Sequence, residues 1–176
     1  MTSAAHILMC RPEFYGIEYE INPWMSRERQ VDHQLAVQQW EALHELLRSL
    51  GAKVSLVEPV KGLPDMVFTA NAGMIYRQMA VLSRFHHEQR QGEEQHLHNW
   101  FLNNGFSVLT PATGIACEGA GDALFCGATL LAGYLTRSDA SGHQQIGALI
   151  GQRVIPLELV DPYYYHLDTC FCPLNE

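Results

Sequence analysis

The sequence has no apolar run near the ~20 residues of a membrane-spanning helix, and its first residues lack the basic and apolar segments of a secretory signal. Positive charge is also scarce, because 11 Lys and Arg stand against 19 Asp and Glu, for a net charge of −8. These absences argue against a membrane, and against nucleic acid as a partner. We therefore expect a cytoplasmic protein that binds a small molecule, with a cationic substrate favoured.

Cysteine is present but not in the pattern of a disulfide-rich or zinc-binding protein. The five cysteines are odd in number and irregularly spaced, and the Cys170-x-Cys172 pair has no second pair at zinc-finger spacing. Four histidines fall in helix-like stretches where close neighbours do not face each other: His86, His87, His96 and His98. We expect reduced thiols, no metal site and no cofactor.

The composition is that of a globular protein. Hydrophobic residues make up 47% of the 176 residues and charged residues 17%. This length is sufficient for one well-buried domain, and no low-complexity segment or linker divides the chain. We expect residues 1–176 to form a single α/β domain.

A unit of about 50 residues repeats along the chain. In each copy a helix-like segment runs into a glycine, then a valine-containing strand, then an ionisable residue 13 to 15 positions after the glycine. The three glycines and the residues that follow them are Gly51 with Asp65, Gly105 with Glu118, and Gly151 with His166. Repeated units arranged about a common axis would bring equivalent positions together. The repeat thus predicts a central site with two carboxylates and an imidazole.

Hydrophobic periodicity predicts strands alternating with helices. The expected helices follow a cap at Ser26, span 88–103, and follow a cap at Ser138 or Asp139. The expected strands are 6–10, 54–57, 66–68, 80–82, 106–109, 123–126, 129–132, 154–157 and a last one beginning at 163. The order is strand–strand–helix–strand, and a fourth unit begins without being completed.

Alternation in 166–172 predicts a strand that places His166 on the same face as Cys170 and Cys172. Residues four apart on a strand are separated by about 13 Å, whereas a nucleophile and its base need contact at roughly 2.6–3.2 Å. We therefore expect both cysteines to be buried packing residues. Cys117 should point away from any site that Glu118 lines.

Three ordered motifs resemble the guanidino-group-modifying enzymes, which include arginine deiminases, dimethylarginine dimethylaminohydrolases and amidinotransferases. They are Asp-Met-Val-Phe-Thr-Ala-Asn at 65–71, Glu-Gly-Ala-Gly-Asp-Ala-Leu at 118–124 and His-Leu-Asp-Thr at 166–169. The resemblance implies a pentein-type α/β propeller of five ββαβ units, of which about three and a half are present.

Within that group, Met-Cys-Arg-Pro at 9–12 and Glu-Ile-Asn-Pro-Trp-Met at 20–25 are most similar to the arginine dihydrolases. These enzymes convert arginine to ornithine, ammonia and carbon dioxide. Deiminases have an aspartate at the position of Asn71, and an asparagine there together with Asn22 is the dihydrolase pattern.

The resemblance also implies a role for each candidate residue. Glu118 would hold the guanidinium group, His166 would be the general acid/base, and Asp168 would contact another guanidinium nitrogen. Asp122 would support the loop or the imidazole. The residues expected to hold the amino-acid end of the substrate are Asp65, Arg84 and Arg137.

The nucleophilic cysteine of this family lies in the fifth unit, for which the 176 residues have no counterpart. We expect the chain to bind and protonate a guanidinium without turnover. Deiminase, dimethylargininase or amidinotransferase activity, a non-catalytic arginine-binding module, and a cysteine hydrolase of another class using Cys10 or Cys126 remain alternatives. Exposed strand edges of an unclosed propeller would favour a homo-oligomer.

Overall fold

The computed structural model describes residues 5–174, in which two units can be distinguished. The first unit extends to Thr69, apart from the short segment Ile21–Trp24. The second unit combines that segment with the chain from Ala70 onward. Within residues 5–174, no helix is both long and apolar enough to cross a membrane.

The first unit contains a β-α-β arrangement. The strands β1 (His6–Cys10) and β2 (Lys53–Val57) pair in parallel and are connected by the helix α1 (His33–Ser49). The strand predictions are confirmed. The predicted cap at Ser26 is wrong, because the Asp32 carboxylate accepts from the Leu35 backbone N–H at 3.0 Å and starts the helix there.

Of residues 66–68, predicted as a strand, Met66 and Val67 belong instead to the 3₁₀ helix Pro64–Val67, and Phe68 follows it. Proline fixes its own φ near the helical value and needs no N–H partner, so Pro64 at the first turn favours this geometry. A second 3₁₀ helix, Thr69–Ala72, follows directly. These tight turns replace the extended segment that the apolar residues suggested.

The second unit begins with a ββαβ arrangement. Its strands are β3 (Gly73–Tyr76), β4 (Met79–Leu82) and β5 (Ser107–Leu109); β4 pairs antiparallel to β3 and parallel to β5. The predicted helix at 88–103 is divided at Gly92 into α2 (Glu88–Gln91) and α3 (Glu93–Asn103). Strand β3 was not predicted, whereas the strands expected at 80–82 and 106–109 are confirmed as β4 and β5.

The same arrangement is repeated by the next elements. A one-turn helix α4 (Gly119–Asp122) leads into β6 (Ala123–Cys126), β7 (Thr129–Tyr134), the helix α5 (Ala140–Ile150) and β8 (Arg153–Glu158). Strand β7 pairs antiparallel to β6 and parallel to β8. Asp139 is the residue before α5, and Gly151 ends that helix in the left-handed conformation.

A hydrophobic core joins the two ββαβ arrangements of the second unit. Its buried members come from β3, β4, β6, β7, α5 and the segment before α4: Met74, Val81, Cys117, Ala123, Leu130, Ile146 and Ile150. The core fixes α4 and the segments around it, which carry the candidate site.

The segment after β8 corrects two predictions. His166 is extended, but Leu167–Thr169 form a 3₁₀ helix, so the predicted strand with alternating faces is wrong. The turn is closed because the Thr169 hydroxyl and backbone N–H both donate to the His166 carbonyl. Cys170 and Cys172 are exposed, which contradicts their assignment as buried packing residues.

Candidate active site

Five side chains predicted from the sequence meet in the second unit. They lie on short connecting segments: Asn71 before β3, Glu118 and Asp122 at the two ends of α4, Arg137 between β7 and α5, and His166 before the last 3₁₀ helix. All five are buried, and Glu118 and Asp122 are fully buried. The structure therefore gathers carboxylate, amide, guanidinium and imidazole groups in one interior cluster.

The environment of His166 determines which ring nitrogen carries the proton. Asn71 Nδ2 lies 3.3 Å from His166 Nε2 and also donates to the Glu118 carbonyl oxygen at 3.3 Å. An amide nitrogen can only donate, so Nε2 of the neutral imidazole must accept. The proton of neutral His166 is therefore on Nδ1, which lies 3.1 Å from Asp122 Oδ1 without forming a hydrogen bond to it.

Arg90 fixes the orientation of Asn71. Its Nη1 donates to Asn71 Oδ1 at 3.1 Å, which leaves the amide nitrogen to face His166. Arg90 is itself buried, pairs with both carboxylate oxygens of Glu93 at 2.8 and 2.9 Å, and lies over the Phe85 ring. Arg90 was not predicted as a site residue, because an arginine in the polar first turn of a helix has the sequence pattern of an exposed residue.

Glu118 is held at both oxygens. Oε1 accepts from the His86 backbone N–H at 3.0 Å, and Oε2 lies 3.2 Å from Arg137 Nη1 and 3.4 Å from His166 Nε2. A buried carboxylate is costly without such partners, since it has lost its water. Glu118 is thus a preorganised anion that faces both a guanidinium and an imidazole.

Arg137 is anchored within the same unit. Its Nη2 donates to the Ile21 carbonyl at 2.8 Å, and its guanidinium lies 4.8 Å from the centre of the Tyr165 ring. The segment Ile21–Trp24 is held near it by Trp24 Nε1, which donates to the Tyr163 carbonyl at 3.0 Å. Asn22 belongs to this segment, and its side-chain oxygen accepts from the Trp24 backbone N–H.

Asp122 accepts hydrogen bonds from the segment that carries His166 and from Ser138. Oδ1 accepts from the Leu167 backbone N–H at 3.1 Å, and Oδ2 accepts from the Ser138 hydroxyl at 2.6 Å. Ser138 also accepts from the Glu118 backbone N–H at 2.9 Å. Ser138 was predicted only as a helix cap, with no role in the site.

Two glycines allow the cluster to close. A Cβ at Gly121 would overlap Asn71 Nδ2, and one at Gly119, which has φ +60°, would lie 2.8 Å from the Gly73 nitrogen. No other residue would allow the backbone of α4 to approach these groups so closely. The close approach of neighbouring atoms therefore explains why Gly119 and Gly121 are glycines.

Four of the predicted residues lie outside this cluster, one of them Asn22 in the segment Ile21–Trp24. Arg84 is partly exposed and pairs with Glu94 at 2.7 Å, and Asp168 is exposed beyond His166. Asp65 is buried in the first unit. The pKa of Tyr15 is raised, first by the burial of Tyr15 and second by the negative charge of Asp65.

Two neighbouring groups have strongly displaced pKa values. Burial, followed by the charge of Arg137, lowers the pKa of His87 to about 4. Burial raises the pKa of Cys117 to about 12, and this side chain packs in the core, as its predicted direction requires. Cys117 is consequently unsuited to act as a thiolate nucleophile.

The arrangement suits recognition of a planar cation with proton transfer. It offers a desolvated carboxylate, an amide, and an imidazole whose tautomer is fixed. Among residues 5–174, no group of three or more His, Cys, Asp or Glu side chains is arranged to hold a metal ion.

Sequence comparison relates the chain to enzymes of arginine derivatives. The profile of the family described as N,N dimethylarginine dimethylhydrolase, eukaryotic, matches residues 17–176. The bifunctional arginine dihydrolase/ornithine cyclodeaminase ArgZ of Synechocystis sp. is 47% identical over 178 residues, covering 99% of this chain and 25% of ArgZ. The N(G),N(G)-dimethylarginine dimethylaminohydrolase of Mycobacterium tuberculosis is 45% identical, with coverage of 96% and 55%.

Structure comparison gives the same relationship. The N-terminal domain of ArgZ, solved as a cysteine-to-serine variant bound to substrate, matches with a TM-score of 0.92 at 48% identity, covering 96% of this chain and 63% of that one. A dimethylarginine dimethylaminohydrolase from Pseudomonas aeruginosa in complex with citrulline matches at 0.76 and 22% identity, which shows a common fold. The chain thus spans a quarter of the length of ArgZ and about two thirds of these solved chains.

Proposed function

The chain belongs to the N,N-dimethylarginine dimethylhydrolase family, whose members are C–N hydrolases of arginine derivatives, and from this premise we propose that it provides the guanidinium-binding and proton-transfer groups of an arginine dihydrolase. The single observation that carries the proposal is Glu118. This buried carboxylate faces a guanidinium, that of Arg137, and an imidazole, that of His166. A substrate guanidinium requires the same two partners.

In the proposed reaction, Glu118 holds the guanidinium and keeps its positive charge in the buried site. A thiolate attacks the guanidinium carbon, and the C–N bond to ammonia breaks as His166 supplies a proton to the leaving nitrogen. Water then attacks the carbon as His166 takes a proton from it, and the C–S bond breaks at the end of hydrolysis to return the thiolate. For a dihydrolase, two water molecules convert arginine to ornithine, two ammonia molecules and carbon dioxide.

We propose that the thiolate comes from a part of the protein outside these 176 residues. In the second unit, Cys117 packs in the core with its pKa raised to about 12, whereas Cys126, Cys170 and Cys172 are exposed rather than in the buried cluster. The remaining assignments also stay proposals: Asn22, Asp65, Arg84 and Arg137 as substrate contacts, Asp168 as a second guanidinium contact, and residues 1–176 as one incomplete propeller domain.

Asn71 favours dihydrolysis over deimination. Its amide donates to His166 and accepts from Arg90, so it is neutral and held at both ends. An aspartate there would add a negative charge beside the imidazole. We propose that the neutral amide permits the second hydrolysis, and that arginine deiminase, dimethylargininase and amidinotransferase reactions are the alternatives.

Arginine binding to this chain tests the recognition step. Calorimetric titration should show binding of arginine, and Glu118→Gln should weaken it by at least about tenfold, since a charged hydrogen bond is worth about 1.5–3 kcal/mol. Citrulline, which has the same size but no positive charge, is the matched control ligand. Equal affinity for arginine and citrulline would sink the proposal.

Turnover is tested in a protein that contains this chain together with the rest of its domain. Ornithine and ammonia from arginine would support dihydrolysis, whereas citrulline as the only product would favour a deiminase. Asn71→Asp should abolish ornithine formation. If arginine binds but gives no product, the alternative of a non-catalytic arginine-binding module is favoured.

A further inference from the structure

One serine hydroxyl connects the two carboxylate residues of the candidate active site. Ser138 is buried, its oxygen accepts from the Glu118 backbone N–H at 2.9 Å, and it donates to Asp122 Oδ2 at 2.6 Å. A hydroxyl has a single proton to donate. Its only donor capacity is therefore committed to Asp122.

Asp122 has its orientation set by this contact. Oδ1 accepts from the Leu167 backbone N–H and lies 3.1 Å from His166 Nδ1, while Oδ2 is held by Ser138. Without the hydroxyl, Oδ2 would be a buried charged oxygen lacking a partner, which is a costly state. The carboxylate would then rotate toward another donor, and Oδ1 would move away from the imidazole.

The same hydroxyl also limits the movement of Glu118. The peptide N–H of Glu118 is fixed by Ser138 on one side of the residue, while its side chain reaches His166 and Arg137. A shift of the Ser138 oxygen would therefore displace the Glu118 backbone and the Asp122 carboxylate together.

We propose that Ser138 is a positioning residue of the proposed reaction. Its hydroxyl sets the position of the guanidinium-binding carboxylate through the Glu118 backbone, and sets the proton position of His166 through Asp122. This inference rests on the proposed function for its catalytic meaning, but its two structural effects can be measured without turnover.

The test compares Ser138→Ala and Ser138→Cys with Ser83→Ala. Ser83 is a fully buried serine whose hydroxyl has no hydrogen-bond partner among the described residues, so it controls for loss of a buried hydroxyl. Nitrogen NMR of the His166 ring reports which nitrogen carries the proton. Calorimetry reports arginine affinity.

In wild-type protein and in Ser83→Ala, neutral His166 should give one protonated and one unprotonated nitrogen signal. In Ser138→Ala the two signals should move toward each other as the tautomers mix, and arginine affinity should fall by up to about tenfold. Cysteine is a weak donor of similar size, so Ser138→Cys should show the same changes to a smaller extent.

A folded Ser138→Ala or Ser138→Cys protein with wild-type ring signals and wild-type arginine affinity would overturn the inference. A loss of stability alone, with both readouts unchanged, would also overturn it, because it would make Ser138 merely structural. If the wild-type chain fails to bind arginine while the ring signals still change, the proposed function fails and the positioning of His166 by Ser138 stands.

Discussion

At the scale of single residues, charge pairing inside the candidate active site dominates what substitutions will do. Arg137 is 2% exposed, and its ion pair with Glu118 leaves neither group in contact with bulk water. We predict that Arg137→Met lowers the free energy of unfolding by about 3–5 kcal/mol, because it leaves a buried carboxylate without its counter-charge. Urea denaturation measures this value.

Arg84→Met is the matched control for that substitution. Its ion pair with Glu94 is equally direct, at 2.7 Å, but the Arg84 side chain is 34% exposed. Water screens such pairs, so the change should cost no more than about 1 kcal/mol. Similar losses for the two variants would contradict the argument from burial.

Close approach of α4 to Asn71 leads to a steric prediction. In Gly121→Ala the new methyl group would overlap Asn71 Nδ2 and approach His166 Nδ1 to 3.4 Å. Arginine affinity should therefore fall, as the amide is pushed away from the imidazole. In Gly16→Ala the methyl group would meet nothing within 4 Å, so binding should not change, and calorimetry distinguishes the two variants.

A pH prediction follows from His87. Burial, with the nearby charges of Arg137 and His86, lowers its pKa from 6.5 to about 4, so the folded chain keeps it neutral where the unfolded chain binds a proton. Its contribution to stability is complete above pH 6.5 and is lost as the pH falls toward 4. His87→Gln should lose less stability over this window than wild type does, as measured by urea denaturation. An unchanged pH dependence in His87→Gln would contradict this explanation.

Sequence reasoning reached some site residues and not others for a physical reason. Asn71, Glu118 and His166 lie next to apolar segments or in motifs with fixed spacing, so they can be predicted from the sequence. Arg90 and Ser138 act by reaching across the fold to Asn71 and Asp122. Their partners are 19 and 16 residues away, and no local pattern records such a contact.

At the scale of elements, α5 packs on β8 through a residue without a side chain. A Cβ at Gly147 would overlap Val154 Cγ2 and lie 3.0 Å from the Gln152 carbonyl. We predict that Gly147→Ala destabilises the protein by about 1–3 kcal/mol, as overpacking does in other cores.

Gly151→Ala is the comparison within the same helix. Its methyl group would meet nothing within 4 Å, but φ is +66°, so the cost is backbone strain of about 1 kcal/mol. Thermal or urea unfolding of both variants separates the two mechanisms. If Gly147→Ala were as stable as wild type, the close contact between α5 and β8 would be in doubt.

Sequence periodicity predicted α5 and the paired strands other than β3, but it failed at β3 and in the two segments that surround charged groups. Pro64–Val67 and Leu167–Thr169 are 3₁₀ helices, although strands were predicted over 66–68 and 166–172. In both places backbone hydrogen bonds close a tight turn, and Met66 and Leu167 are buried without forming a sheet. Hydrophobic periodicity indicates which residues are buried, but a buried segment need not pair with another strand.

At the scale of the whole molecule, the repeat seen in the sequence is present as two ββαβ arrangements in the second unit. The glycines that marked it end helices with positive φ at Gly51 and Gly151, and Gly105 has the same conformation. The repeat therefore reflects the same positive-φ backbone conformation at each of the three glycines. The site itself is not repeated, since each copy contributes a different side chain to it.

The buried charges of the candidate active site do not balance, because the negative charges outnumber the positive ones. The buried carboxylates are those of Glu93, Glu118 and Asp122, and the buried guanidinium groups are those of Arg90 and Arg137. One negative charge is left over, and a ligand guanidinium can neutralise it.

The excess negative charge favours a ligand guanidinium whatever else the ligand carries. Agmatine, which lacks the carboxylate of arginine, should therefore still bind. Citrulline, which lacks the positive charge, should bind at least about tenfold more weakly than arginine. Calorimetric titration with the three ligands measures this difference.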